Sequence, residues 1–421
     1  MISILILSMQ FNQIFGQTEI KHQLKDLVQR NRLSHALLFL GREGSGALPM
    51  ATAFAQYVMC EKVNPKAKAV AAVSLFGDES DEVVSPASFE DSCGECASCR
   101  KVNQLIHPDL HFSYPAIKKD SKHDRVVSTD YISEWREYVQ QSPYGNVADW
   151  INFLKENPKA KIESPINKQG NITVQECDDI SHKLSMKAFE SNYKILIMWM
   201  PEFLGNSGNK LLKLIEEPPP DTLFIFVAED ESAILQTILS RTQLIKIPLF
   251  DNPDIENALV KKYEVSPQKA AQVAVIAEGN FREALLLLQN VEEDWQAQVR
   301  EWLNVTLKNN VNAQLKWIDD ISRIGREKQK QFLKYFIHLL RQAIRVRYLN
   351  KDHLTSIPDD ERDFAQRLNN MCSLEAQEAI INELDKAIYY VERNAHAKML
   401  FHALTIRFFH IIKDNSLILI G

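Results

Sequence analysis

Four of the six cysteines are grouped in a way that suits a metal ion. Cys93-Gly94-Glu95-Cys96-Ala97-Ser98-Cys99 sets three thiols at successive C-x-x-C intervals, and Cys60 closes the apolar segment upstream. Three such sulfurs cannot all pair with one another. With Cys60 as a fourth they make a tetrahedral all-sulfur site for Zn²⁺, and four protein ligands leave no position for a reactive water. The zinc would then be structural, not hydrolytic. The alternative is a redox-active pair with spare cysteines. Cys177 and Cys372 stand apart and read as isolated buried thiols.

A second constellation has the outline of a phosphate site without its chemistry. In a loop of the form G-x-x-x-x-G-K-[ST], backbone N–H groups cradle phosphate oxygens, the Lys reaches the outer phosphates and the hydroxyl holds Mg²⁺. Here Gly41, Gly44 and Gly46 keep the loop, but Ala47 stands at the Lys position and Leu48 at the hydroxyl position. A hydrolase of this kind also needs an acidic pair at the end of a neighbouring core strand. The apolar run 195–199 ends without a carboxylate, the nearest being Glu202 beyond Pro201. Two separate losses predict a scaffold used for its shape, with no ATP hydrolysis.

Two arginines are placed to act on phosphate. Ser240-Arg241-Thr242 precedes the short apolar run 244–247, where a guanidinium can project toward a phosphate held by a neighbouring subunit. A finger of this kind stabilises transferring phosphoryl charge in trans. The alternative is a surface arginine paired with a carboxylate. Arg282, in Gly279-Asn280-Phe281-Arg282-Glu283, falls in the first turn of a helix. It would sense nucleotide in an active site, and a structural role is the alternative.

The elements that must hold these groups follow from apolar spacing. Residues 37–40 read as a buried parallel strand and 50–59 as the helix after it; an amphipathic helix lies within 11–31. The α/β rhythm resumes at 172–174 with a helix to about 186, a strand at 195–199, a helix at 209–216, and strands at 223–227 and 244–247. Such alternation predicts a largely parallel sheet covered on both faces. Residues 61–92 are small and charged and read as a mobile insertion. A second insertion, 116–170, places Tyr131, Trp135, Tyr138 and Val139 at helical spacing. After Phe250 only helical spacing remains, giving a small helical domain and then a bundle whose last long stretch runs, with breaks, from about 375 to 412.

The chain of 421 residues has a length suited to about three domains. Hydrophobic residues make up 45% and charged residues 25%, the profile of a soluble globular protein. With a net charge of -6, any nucleic-acid contact must come from a local basic face, which weighs against an autonomous DNA binder. The apolar run at 2–7 lacks a basic flank and is too short to span a bilayer, so it reads as an extra strand or a start placed too early. A cytoplasmic protein is expected.

Taken together these pieces resemble the AAA+ clamp-loader family. The matching residues are Phe15-Gly16-Gln17, Leu33-Ser34-His35-Ala36, the altered phosphate loop, the four-cysteine module, and His107-Pro108-Asp109-Leu110. They continue with Asn209-Lys210-Leu211-Leu212-Lys213-Leu214-Ile215-Glu216-Glu217-Pro218-Pro219, with Ser240-Arg241-Thr242 at the spacing of the family's Ser-Arg-Cys motif, and with Glu392-Arg393-Asn394-Ala395-His396 near the end. Thr242 replaces the motif Cys, the interval from Cys60 to Cys93 is long, and the segment after Pro115 has no counterpart.

The resemblance implies an AAA+ α/β domain with a zinc module at 11–250, a helical lid at 251–292 and a helical collar for oligomerisation at 293–421. It implies a subunit of a five-membered ring that loads a sliding clamp on primed DNA for a replicative polymerase holoenzyme. The partners would be an ATPase motor subunit and a clamp-opening subunit. Carried onto this sequence, the trans finger falls on Arg241 and the zinc ligands on Cys60, Cys93, Cys96 and Cys99. Two alternatives are an active motor subunit, against which Ala47 and Leu48 speak, and a zinc-containing nucleic-acid-binding module, disfavoured by the acidity of the chain and by the lack of aromatic residues within the cysteine cluster.

Overall fold

The computed structural model describes residues 9–65, 90–119, 126–160, 162, 170–289, 295–308, 310–348 and 359–413. The apolar run 2–7 and most of the insertion at 61–92 lie outside the described residues. The chain divides into two compact units, Met1–Leu285 and Leu286–Gly421.

In the first unit, α1 (Thr18–Gln29) leads to β1 (Ala36–Leu40), whose Ala-Leu-Leu-Phe-Leu sequence suits a strand buried on both faces. The glycine loop then turns directly into α2 (Ala47–Met59), every residue of which is buried. A helix enclosed on all sides must be apolar all round, which explains its run of alanine, methionine, phenylalanine and valine. The helix begins earlier than its sequence spacing suggests because Gly46, at φ 79°, makes the left-handed turn into it.

The short α3 (Ala97–Asn103) precedes β2 (Leu110–Ser113), and β3 (Lys194–Trp199), β4 (Thr222–Ala228) and β5 (Gln243–Lys246) complete a parallel five-stranded sheet in the order β2-β3-β4-β1-β5. Period-two alternation sorts the strand residues between two cores. Leu37, Phe39, Ile197, Trp199, Ile225 and Val227 face α2, whereas Leu38, Leu196, Met198, Phe224 and Phe226 face the other layer. Sequence spacing does not pick out β2, whose Leu-His-Phe-Ser is too short and too mixed to signal a strand. Asp109, just before it, accepts from the backbone N–H groups of Phe189, Glu190 and Ser191 at 2.6–2.7 Å and thereby fixes the turn into β3.

Within the insertion at 116–170, α4 (Ile132–Gln141) and α5 (Val147–Glu156) pack on the end of β3 through aromatic rings. Trp135 stacks on Tyr114 at 4.0 Å between centroids and meets Trp150 and Trp199 at 5.3 and 5.2 Å. Beyond them, α6 (Val174–Ser185) starts on Thr173, whose side chain accepts from the N–H of Glu176. Of the helix expected at 209–216, residues 212–216 form α7 (Leu212–Glu216), whereas 209–211 belong to tight 3₁₀ winding that runs from Pro201 to Leu211. Gly205, at φ 48° and ψ -140°, interrupts helical geometry there. A single turn, α8 (Gln236–Leu239), sets up β5, and α9 (Asn252–Tyr263), α10 (Pro267–Ala277) and α11 (Phe281–Gln289) follow.

The second unit is helical: α12 (Trp295–Leu307), α13 (Val311–Arg323), α14 (Arg326–Tyr348), α15 (Asp359–Met371), α16 (Leu374–Glu392) and α17 (Ala397–Lys413). Its core centres on Trp302, which stacks on Trp317 at 4.8 Å and donates its indole N–H to Thr405 at 2.9 Å. The break between α16 and α17 falls where Asn394 takes a left-handed φ of 65°. Among the described residues no helix is long and apolar enough to cross a membrane.

Candidate functional site: a closed loop, a thiol cluster and a half-exposed arginine

The glycine loop sits where a parallel strand feeds a helix, and the chain's own side chains fill the space around it. Phe15, Tyr144, Phe250 and Phe281 pack together there, with centroids as close as 4.3 Å. A Cβ at Gly46 would come within 3.0 Å of Phe250 and 3.1 Å of Tyr144. Gln17 closes the loop from the outside, donating to the carbonyls of Ser45 and Pro248 at 2.8 and 2.7 Å. The cavity left, lined by Gly41, Gly44, Gly46, Tyr144, Trp199 and Glu229 among others, measures about 20 Å³. That volume is room for about one water molecule. Burial pushes the Tyr144 hydroxyl well above its usual range.

Charge has been rearranged in the same place. Arg282, only 4% exposed, donates through Nε and Nη2 to both oxygens of Asp149 at 2.5 and 2.6 Å, and through Nη1 to Glu43 at 3.1 Å. Asn146 donates to the other Glu43 oxygen at 2.8 Å. Asn280 abuts Gly44, so closely that a Cβ there would lie 1.8 Å from its oxygen. The arginine expected in the first turn of a helix is therefore committed to two carboxylates of its own unit. A buried guanidinium needs such partners, since a lone charge away from water costs several kcal/mol.

Three acids in this neighbourhood went unnoticed in the sequence. Glu43 lies in the loop, Asp149 comes from the insertion, and Glu229 follows β4, not β3, where an acid was sought. Burial, with help from Glu43 and Glu202, pushes the Glu229 carboxyl up to about 8. Glu202 accepts from the N–H groups of Glu229 and Asp230 at 2.6 and 3.0 Å. A helix cap signal at Asn146-x-x-Asp149 was available to flag Asp149; nothing local marks its partnership with Arg282.

At the far end of α2 the four expected cysteines converge. Cys60 is the C-cap residue of α2, Cys96 the N-cap of α3, and the sulfurs of Cys60, Cys93, Cys96 and Cys99 all lie within 4.8 Å of one another. A tetrahedron of Zn–S bonds about 2.3 Å long has sulfurs about 3.8 Å apart, and Cys93 and Cys99 stand at 3.9 Å. Backbone N–H groups of Cys93, Cys96 and Cys99 point at the sulfurs of Cys60, Cys93 and Cys96 at 3.3–3.4 Å, which favours thiolates. The Cys99 thiol hydrogen-bonds Cys60, which holds the Cys60 thiol below the usual thiol range while the same contact and burial push its own up. The donor set fits a metal ion with a preference for sulfur.

Behind the thiols, His107 accepts at Nδ1 from the Asp109 N–H at 3.1 Å, so its Nε2 carries the proton and donates to Ser98 at 2.8 Å. Ser98 lies between Cys96 and Cys99 on α3. The His-Pro-Asp motif thus braces the cysteine helix from one side and the turn into β3 from the other.

Arg241 follows α8 and is 34% exposed. Its Nη1 donates to the Thr237 carbonyl at 2.7 Å and to Ser240 at 3.1 Å, and its Nη2 pairs with Glu216 at the end of α7. Within the chain this is the arrangement named as the alternative to a trans finger, a surface arginine paired with a carboxylate.

A family model described as DNA polymerase III, delta subunit, matches residues 16–76 and 145–251. DNA polymerase III subunit delta' of Bacillus subtilis (strain 168) is 23% identical over 387 residues, spanning 91% of this chain and 92% of the relative. The chain is similar to the DNA polymerase III delta-prime subunits over most of its length. DNA polymerase III subunit tau of the same organism is also 23% identical, over 285 residues that span 66% of this chain and 37% of tau. Among solved structures, a DNA polymerase III gamma subunit-related protein from Thermotoga maritima aligns over 92% of this chain and 99% of its own at a TM-score of 0.37 and 12% identity. The fold itself is a parallel five-stranded α/β sheet joined to helices.

Proposed function

We propose that this chain is a clamp-loader subunit of a replicative DNA polymerase that does not itself turn over nucleotide. It stands in a five-membered ring beside an ATPase motor subunit and a clamp-opening subunit, in the cytoplasm, and helps place a sliding clamp on primed DNA. The lid at 251–292 and the collar at 293–421 are its other domains. The observation that carries this reading is the closed loop. Ala47 and Leu48 supply neither cation nor Mg²⁺ ligand, and Arg282, which would face a γ-phosphate, is taken up by Glu43 and Asp149.

Arg241 is the residue that reaches outward. In an assembled ring its guanidinium would approach the nucleotide of the adjacent motor subunit and stabilise the charge that spreads over the transferring phosphoryl group. The four cysteines would hold one structural Zn²⁺, which ties α2 to α3 and so fixes one flank of the sheet.

The test is Arg241→Ala in the assembled loader. Ring assembly should survive while DNA-stimulated ATP hydrolysis falls by roughly 10²-fold or more. Normal hydrolysis by an assembled variant removes the trans role. A second reading, an active motor subunit, draws on the similarity to tau; turnover of ATP by the purified chain alone would favour it.

A further inference from the structure

The run from Asn209 to Pro219 matched the clamp-loader pattern in the sequence, yet nothing in the function so far accounts for it. The structure shows what the run builds. Leu211 and Ile215 are fully buried and anchor its winding to the sheet. Pro218 prevents the helix from continuing, because the residue before a proline is driven out of helical geometry, and Glu217 takes φ -123° and ψ 70°. Glu216 is therefore the last residue of α7, 45% exposed, and its carboxylate faces Arg241.

This position is poor for the helix itself. A carboxylate at the carboxyl end of a helix meets the negative end of the backbone dipole. What it gains is the guanidinium. Arg241 has five N–H donors. Two on Nη1 go to Thr237 and Ser240 and one on Nη2 to Glu216, leaving Nε–H and one Nη2–H uncommitted among the described residues. The side chain is held from two sides and still presents donors to solvent.

The geometry points to Glu216 as a positioning residue for Arg241. It orders a long, rotamer-rich side chain before any neighbouring subunit arrives, so the entropy of fixing the finger is not lost at the moment of phosphoryl transfer. This inference rests on the trans role of Arg241 and adds to it a partner within the same chain.

The experiment compares loaders assembled with Glu216→Ala, Glu216→Gln, Arg241→Ala and the Glu216→Ala/Arg241→Ala pair, with ATP, clamp and primed DNA. Glu216→Ala should lower kcat roughly 2- to 5-fold, with KM for ATP and ring assembly unchanged. Glu216→Gln keeps an acceptor and should fall between it and the native protein. In the Arg241→Ala background Glu216→Ala should add nothing. An unchanged or higher kcat in Glu216→Ala overturns the inference, as does an equal loss on both backgrounds. Failure of the underlying reading looks different: Arg241→Ala alone would then hydrolyse normally.

Discussion

The two ends of α2 are built in opposite ways. At its amino end the loop Gly41–Gly46 has a ligand-binding shape without the ligand-binding groups, and side chains of the same unit occupy the space. At its carboxyl end Cys60 joins Cys93, Cys96 and Cys99 with every donor a metal needs. The same rigid, wholly buried helix serves both. What differs is the chemistry: aromatic packing and an internal ion-pair network on one side, a cluster of four thiols that suits a metal ion on the other. A glycine loop of this shape can be filled by a few long-range contacts from its own unit.

This contrast can be broken from either end. The largest effect is expected at the thiols. Cys60→Ser should abolish binding of about one zinc per chain and destabilise the first unit by on the order of 4–5 kcal/mol, read by metal analysis and thermal unfolding. Retention of zinc with an unchanged unfolding midpoint would refute a structural metal.

At the other end, Arg282→Ala leaves Glu43 and Asp149 without their shared cation. Because those carboxylates are 29% and 30% exposed, water relieves part of the penalty. A loss of about 2–3 kcal/mol is expected, measured as a lower urea midpoint with zinc content unchanged. A variant as stable as the native protein would mean that the aromatic rings alone close the loop.

The smallest effect is a pH slope. The Glu229 carboxyl is held up at about 8 in the folded state, against about 4.3 in an unfolded chain. The folded state thus binds this proton more tightly. Its contribution is fully present below the unfolded value and is lost as pH rises toward 8. Glu229→Gln should flatten that decline and leave the protein more stable at pH 8 by on the order of 1–2 kcal/mol. An identical pH profile in the variant would show that Glu229 is not buried as described.

Much of the site was legible because its chemistry is local. The C-x-x-C intervals, the glycine spacing and the apolar strands β1, β3 and β4 each declare themselves within a few residues. Other parts were hidden for a physical reason. The carboxylate partners of Arg282 lie 239 and 133 positions away in the chain, and short charged residues on a loop or a helix start look like ordinary solvated surface until folding buries them together. Likewise β2 was missed because four mixed residues acquire strand geometry only from pairing with β3.

The amino-acid sequence by itself determined which groups are absent: no lysine and no hydroxyl follow the last loop glycine, and no folding can supply them at those positions. It also determined that three thiols lie close enough to share a metal. Only the tertiary structure decided that Cys60 completes the set, that Arg282 is spent internally and that Arg241 remains at the surface with Glu216 beside it. Covalent identity fixes what chemistry is possible, whereas burial and long-range pairing, set by the whole fold, decide which charged group stays available to a neighbour.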